Sequence, residues 1–252
     1  VVNFDYPETI TQLKDLGFDK TAELTFGAKI VNREYHNQLK KAQQLIISSV
    51  CPGVVDTIKK KTPQFEKNLI RVYSPMIVTA KICKKFYPRH KIVFISPCNF
   101  KKMEAATTKD VNIVIGCNEL QQLLDERKIK PRNVKNVSFD KFYNDFTKIY
   151  PLAGGLSKTA HIKNIVHADQ TKTIDGISNV LTYLEKPDQS IRFLDCNFCV
   201  GGCIGGPLLR QDISLDKKKQ RVLDYVKKAA KERIPQKDKG IFEKAKGIKI
   251  KY

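Results

Sequence analysis

No run of about 18 uncharged apolar residues occurs in the chain, so no helical membrane span is expected. The opening residues, Val1 to Pro7, lack a basic start followed by an apolar stretch, so no export signal is expected. A start at Val1 rather than Met reads as a trimmed piece of something longer. Internal repeats and low-complexity linkers are also missing. Acidic residues are scarce: 26 Asp and Glu stand against 46 Lys and Arg, a formal charge of +20. A nucleic-acid surface would show such charge clustered on one face. Here the lysines are spread along the whole chain, and the densest runs, Lys59 to Lys61 and Lys217 to Lys219, are short. Nucleic acid is therefore not the expected partner, whereas an acidic protein would suit a basic face. Seven cysteines are present, an odd number that argues against a closed disulfide framework. Without an export signal the expected compartment is a reducing cytoplasm, which leaves metal ligation or buried thiols as uses for them.

The 252 residues are enough for one large α/β domain or two lobes around a core. Residues 7–18 read as a helix ending near Gly17, residues 20–26 as a strand, and residues 33–49 as a helix ending before Cys51-Pro52-Gly53. Pro52 is placed to open the next helix. Ser74-Pro75 reads as a cap and first residue of a helix reaching about Phe86. Lys91–Ser96 and Val111–Ile115 are apolar runs of strand length, the signature of parallel strands buried on both faces. A helix from Asn118 to about Arg127 follows, giving the rhythm of an α/β protein. Short strands are expected at 162–167 and 191–195, a helix near 176–185, and a basic amphipathic helix at 217–234. Residues 235–252 read as a peripheral, Lys-rich end.

Three cysteine segments sit at element ends beside Pro or Gly: Cys51-Pro52-Gly53, Pro97-Cys98, and Cys199-x3-Cys203 followed by Gly205-Gly206-Pro207. Loops at strand carboxyl ends are where open α/β sheets bind ligands. Gly201, Gly202, Gly205 and Gly206 clear side chains from the backbone and free amide groups to face anionic sulfur. Thiolates are soft ligands suited to iron–sulfur clusters. Zinc is the rival, because Cys196-x2-Cys199 offers the pair that structural zinc favours. Cys83 and Cys117 read as buried small hydrophobes.

These segments resemble the FeFe (iron-only) hydrogenase catalytic module. Ser49-Val50-Cys51-Pro52-Gly53 resembles its first cluster motif, Pro97-Cys98-Asn99-Phe100-Lys101-Lys102-Met103-Glu104 its second, and Cys199 to Gly206 its third. The segments Gly17-Phe18-Asp19-Lys20 and Phe26-Gly27-Ala28, Ser74-Pro75-Met76 and the Gly154-Gly155 loop match as well. The resemblance implies a 4Fe-4S cluster held by Cys51, Cys98, Cys199 and Cys203, with Cys203 bridging to a two-iron subsite that carries CO, cyanide and a dithiolate. It implies that Lys101 donates to a cyanide ligand, that Glu104 orients nearby basic groups, and that Gly154 and Gly155 belong to the cofactor cradle. The implied fold is α/β, two intertwined lobes with a boundary near 88–91, each a small mostly parallel sheet flanked by helices, the cofactor in the cleft between them. Residues 1–252 form this one module, with a basic C-terminal extension over about 211–252.

The departures bear on activity. Val50 stands where active members carry a proton-passing cysteine, and valine neither donates nor accepts a proton. Tyr35, Gln38 and Ile70 occupy the positions of two glutamates and a serine of the usual relay. Ser96 and Asn197 replace methionines beside the two-iron subsite. Together with Phe193-Leu194-Asp195 and Pro151-Leu152-Ala153 these features resemble the sensory branch of the family, whose members often carry signalling domains. The Cys-x2-Cys-x2-Cys pattern of ferredoxin domains is missing, so electrons are expected from a ferredoxin-like partner or a segment outside this sequence. Cys196 has three open uses: a substitute ligand, a proton carrier in catalysis beside Lys101, or a packed strand-end thiol. The expected function is slow H2 oxidation or proton reduction, or H2 sensing. The alternative is a non-catalytic iron–sulfur protein for electron transfer or cluster assembly, and a third reading is a basic interaction module with inert cysteines.

Overall fold

The computed structural model of the chain describes residues 3–132, 134, 137–142 and 147–252; Val1, where the sequence begins, lies outside them. Two small parallel sheets organise the molecule, so the fold is the expected α/β type. In one, β2 (Val93–Ser96) pairs with β3 (Ile113–Gly116). In the other, β1 (Ile46–Ile47) and β4 (Thr171–Asp175) flank β5 (Phe193–Asn197). β1 comes early in the chain yet pairs with a strand about 150 residues later, which is how the two lobes intertwine.

Helices begin where the residues favour it. Pro52 and Pro75 take the first positions of α3 (Pro52–Lys61) and α4 (Pro75–Phe86), where their missing N–H costs nothing. Ser74 has the extended backbone of a cap residue, but its hydroxyl makes no cap bond. The first helix, α1 (Glu8–Asp15), carries Glu8 in its first turn and Lys14 in its last, matching the helix dipole.

Three expectations give way to packing. The expected strand at 20–26 contributes only a bridge from Ala22 to Lys141, because α2 (Thr25–Leu39) starts within it. Phe26, Ile30, Val31, Tyr35 and Leu39 recur at helical spacing and are all buried. Gly27 lets α2 close on α4, since a side chain there would strike Thr79 and the Pro75 carbonyl. The helix expected to run to residue 49 ends at Leu39, and the β-branched pair Ile46–Ile47 joins the sheet instead. The strand expected at 162–167 is a short 3-10 helix (Ile162–Asn164); the edge strand is β4, whose polar Thr-Lys-Thr sequence hides it.

The lysine-rich end is bound into the fold. The Tyr73 amide donates to the Ile250 carbonyl at 2.8 Å, Val72 pairs antiparallel with Lys251, and Lys251 meets Glu34 at 2.8 Å. Lys29 and Arg33 stack on the Phe242 ring at 4.8 and 4.6 Å. Residues 235–252 thus strap α2 to the start of α4. Among the described residues no helix is long and apolar enough to cross a membrane.

Candidate iron–sulfur site

The three cysteine segments meet at one place. Cys51 is the residue before α3, with an extended backbone. Cys98 follows β2, and its turn is fixed by Ser96, whose Oγ accepts from the Cys98 amide at 3.0 Å and donates to the Cys98 carbonyl at 3.1 Å. Cys199 and Cys203 follow β5 in a loop where Gly201 and Gly202 have φ of 82° and 79°, a left-handed backbone that glycine adopts without strain.

Close packing knits the segments together. A Cβ on Gly53 would lie 2.8 Å from the Phe100 ring and 2.9 Å from the Phe198 ring, and those rings are 4.7 Å apart by centroid. One glycine therefore joins the first segment to the other two. A Cβ on Gly206 would strike the Pro97 carbonyl at 2.3 Å, and the same carbonyl accepts from the Leu208 amide at 3.1 Å. The Cys203 amide donates to the Pro151 carbonyl at 2.8 Å, which ties the Gly154-Gly155 loop to the third segment. Gly155 packs against the Ile149 and Tyr150 carbonyls, and Gly154 has φ 71° beside Thr173.

All seven cysteines are free thiols. Burial first, and then the like charges of Cys51, Cys98 and Cys199, push the Cys203 thiol up to about 12. Burial and the neighbouring Cys98 and Cys51 push Cys199 up to about 11, and burial leads the upward shift at Cys98, where Cys51 again contributes. The four sulfurs therefore occupy one electrostatic neighbourhood, which calls for a cation to balance thiolate charge. Lys101 is the cation that opposes the shift at both Cys98 and Cys203.

Among the described residues no three His, Cys, Asp or Glu side chains converge as a single ion requires. Zinc asks for four donors around one ion, and this set does not present them. A cubane spreads its thiolates over separate irons, so it does not ask the four soft donors beside this glycine-cleared backbone to converge on one ion.

Lys101, in α5 (Phe100–Ala106), is held by Glu104 at 2.7 Å; both side chains are nearly enclosed, at 14% and 15% exposure. Its Nζ also lies 3.5 Å from the Val50 carbonyl, so the charge sits over the first cysteine segment. Cys196 lies in the core cluster that Cys51 and Phe198 border. It is fully buried among Ile47, Val54, Ile58 and Leu194, its sulfur 3.6 Å from the Ser48 hydroxyl, and burial drives its thiol far up. Cys83 and Cys117 pack among apolar side chains, as expected of packed thiols.

The residues at the relay positions are closed off. The Tyr35 hydroxyl accepts from the Ser49 amide at 2.8 Å, Gln38 donates to Glu34 at 3.0 Å, and Ile70 is core.

The family model for the C-terminal domain of the iron-only hydrogenase large subunit matches residues 3–207. The chain belongs to this family. Among proteins of the family, Iron hydrogenase 1 of Clostridium pasteurianum is 23% identical, covering 78% of this chain and 44% of its own length. The cytosolic Fe-S cluster assembly factor NAR1 of Kluyveromyces lactis is 29% identical over 41% of this chain and 24% of its own. The chain thus spans less than half the length of the curated relatives it matches. The [FeFe]-hydrogenase HydA(deltaEFG) structure superposes with a TM-score of 0.66 at 16% identity, covering 97% of this chain and 81% of that one. A variant of HydA1 from Chlamydomonas reinhardtii gives 0.66 at 16%, with 95% and 80% covered. These likenesses establish the hydrogenase-domain fold.

Sequence reasoning passed over Asp195. Its carboxylate is fully enclosed and accepts from the Ser157 amide at 2.9 Å and the Ser157 hydroxyl at 2.7 Å. Burial raises its carboxyl above the ordinary value despite those donors. A carboxyl with a folded pKa above its unfolded value, about 3.9, costs stability as pH rises through the window between the two. Asn at this position still accepts from Ser157 and cannot ionise. The melting temperatures of wild type and Asp195→Asn are therefore expected to converge near about pH 4 and to separate above it, the variant higher. A variant melting lower at every pH would show that Ser157 needs the carboxylate.

Proposed function

We propose that the chain holds a 4Fe-4S cubane on Cys51, Cys98, Cys199 and Cys203, with a two-iron subsite bearing CO, cyanide and a dithiolate on Cys203, and that it reacts with H2 slowly or senses it. The observation that carries this reading is the knitting of three separate cysteine segments around Gly53 and Gly206, with the Lys101 charge held over them. When bound, such a group supplies the redox chemistry that splits or forms H2.

The chain's own residues set how well that chemistry runs. Lys101, oriented by Glu104, presents a donor to an anionic ligand and lowers the cost of negative charge in an enclosed site. Ser96 commits its hydroxyl to the Cys98 turn and shapes the loop rather than the chemistry. Val50 and Ile70 offer no proton-carrying group, and the Tyr35 hydroxyl is engaged with Ser49. Protons therefore reach the site slowly, which suits a sensor better than a fast catalyst. Cys196, turned to Ser48 in a dry core, takes the packed-thiol role among the three open to it. A basic surface fits an acidic, ferredoxin-like electron donor, with signalling domains outside this sequence and a cytoplasmic setting. The similarity to NAR1 supports the second reading, a cubane protein of electron transfer or cluster assembly without the two-iron subsite.

Infrared spectroscopy of anaerobically matured protein separates the two. Bands of metal-bound CO and cyanide support H2 chemistry or sensing; iron and sulfide without such bands support the cubane-only protein. The blocked relay makes a further prediction. Val50→Cys restores one carrier but not the path behind it, so the rate of H2 evolution is expected to rise less than about tenfold, short of the factor of about 10² or more that a complete acid–base step contributes. A gain of that full size would show another proton route.

A further inference from the structure

Tyr150 holds a donor that the protein does not use. Its hydroxyl is shut off from solvent and has no hydrogen-bond partner among the described residues. A hydroxyl buried this way normally finds a partner, because the bond it gave up in water is otherwise lost. The groups around it are Tyr35, Asp195 and Cys203, each of which opposes its ionisation after burial has done so. Asp195 Oδ2 is already occupied by both Ser157 donors, and the Tyr35 hydroxyl is bonded to Ser49. None of the three bonds to the hydroxyl, and of them Cys203 is the one whose bound group would bring a new acceptor toward it.

The backbone fixes this relation. Tyr150 lies in a closed turn, its amide on the Thr147 carbonyl at 3.0 Å and the Leu152 amide on the Ile149 carbonyl at 3.0 Å. The next residue, Pro151, accepts from the Cys203 amide at 2.8 Å, and Leu152 pairs with Gly202. Gly155 is seated on the Tyr150 carbonyl, where any Cβ would collide. Tyrosine and cysteine are thus held on two strands of the same local pairing.

We propose that the Tyr150 hydroxyl donates a hydrogen bond to an atom of the iron–sulfur group bound at Cys203. This rests on the reading that the four cysteines hold a cluster. A donor there draws electron density from the group and favours its reduced, more negative form. Tyr150 thereby tunes the potential of the site.

Tyr150→Phe removes the oxygen and little else. Without the cluster, the variant is expected to melt at or above the wild-type temperature, since an unpartnered hydroxyl is lost. With the cluster, its midpoint potential, followed by electron paramagnetic resonance during redox titration, is expected to move to more negative values. Where the two-iron subsite is loaded, shifted CO or cyanide bands assign the bond to a ligand of that subsite, and unmoved bands with a shifted potential assign it to sulfur. A variant that keeps its apo stability but fails to retain iron and sulfide also supports the bond. An unchanged potential with unchanged bands overturns the proposal and leaves the cluster reading intact, as does an apo variant that melts lower, which would reveal a protein partner. A wild-type chain that takes up no iron or sulfide overturns both.

Discussion

Cys203→Ala is expected to abolish the retention of iron and sulfide by the reconstituted chain, along with the visible absorption of a cubane. The Cys203 thiol is pushed up to about 12 by burial and by the like charges of its three neighbours, above Cys199 at about 11. Such a group is a neutral thiol at pH 7 unless a cation replaces its proton, so a bound metal would stabilise its charged form in this place. Alanine would leave three thiols, with Cys199 and Cys98 also disfavoured as thiolates, and one iron corner open to water. Loss of most of the iron is the expected result, measured by colorimetric iron and sulfide assay after desalting. Cys83→Ala and Cys117→Ala serve as controls, because those thiols pack among apolar side chains. Cys196→Ala is expected to retain iron too, since its sulfur faces Ser48 inside the core. Full retention in Cys203→Ala with loss in Cys196→Ala would reassign the fourth ligand and restore the substitute-ligand use of Cys196.

Much of this arrangement is legible along the sequence, for physical reasons. Lys91–Ser96 and Val111–Ile115 are apolar without alternation, and a strand covered on both faces needs such a run; β2 and β3 fall within or beside them. Pro next to Cys at 51–52 and 97–98 marks element ends, and the ends are where the thiols gather. What stayed hidden depends on contacts far apart in sequence. Phe26 reads as part of a strand until α4 and Gly240 are packed against it. β4 carries Thr-Lys-Thr because only one of its edges is paired, so its polarity disguises it. The orphaned hydroxyl of Tyr150 has no sequence signal at all: a tyrosine with a partner and one without are written alike. The same holds for the strap at 235–252, whose lysines read as solvated charge until Phe242, Ile250 and Lys251 are seen against α2 and α4.

The buried pair of Glu23 and Lys148 is the clearest such case, and its disruption is expected to cost the fold more than any surface change. Lys148 Nζ lies 2.8 Å from both carboxylate oxygens of Glu23, with side-chain exposures of 1% and 9%. Thr25 donates to the same carboxylate at 2.7 Å, and the Tyr225 hydroxyl from the helix Leu215–Ala229 donates to it as well. The ammonium group also sits 4.9 Å from the Tyr225 ring centre. Residues near the start, middle and end of the chain are therefore joined at one enclosed charge. Lys148→Met would leave the Glu23 carboxylate in a dry site without its cation, and breaking a buried pair in this way costs about 3–5 kcal/mol. For a chain of this size that corresponds to a fall in melting temperature of roughly 6–20 °C. Combining Lys148→Met with Glu23→Gln removes the stranded charge and keeps one amide oxygen to accept from Thr25 or Tyr225, the amide nitrogen donating to the other hydroxyl, so the double variant is expected to recover much of the loss. Thermal unfolding followed by circular dichroism checks both. A single variant within about 2 °C of wild type, on the order of what 1 kcal/mol produces, would mean that water reaches Glu23. A double variant no better than the single would mean that the lysine stem, packed under Tyr225, contributes more than its charge.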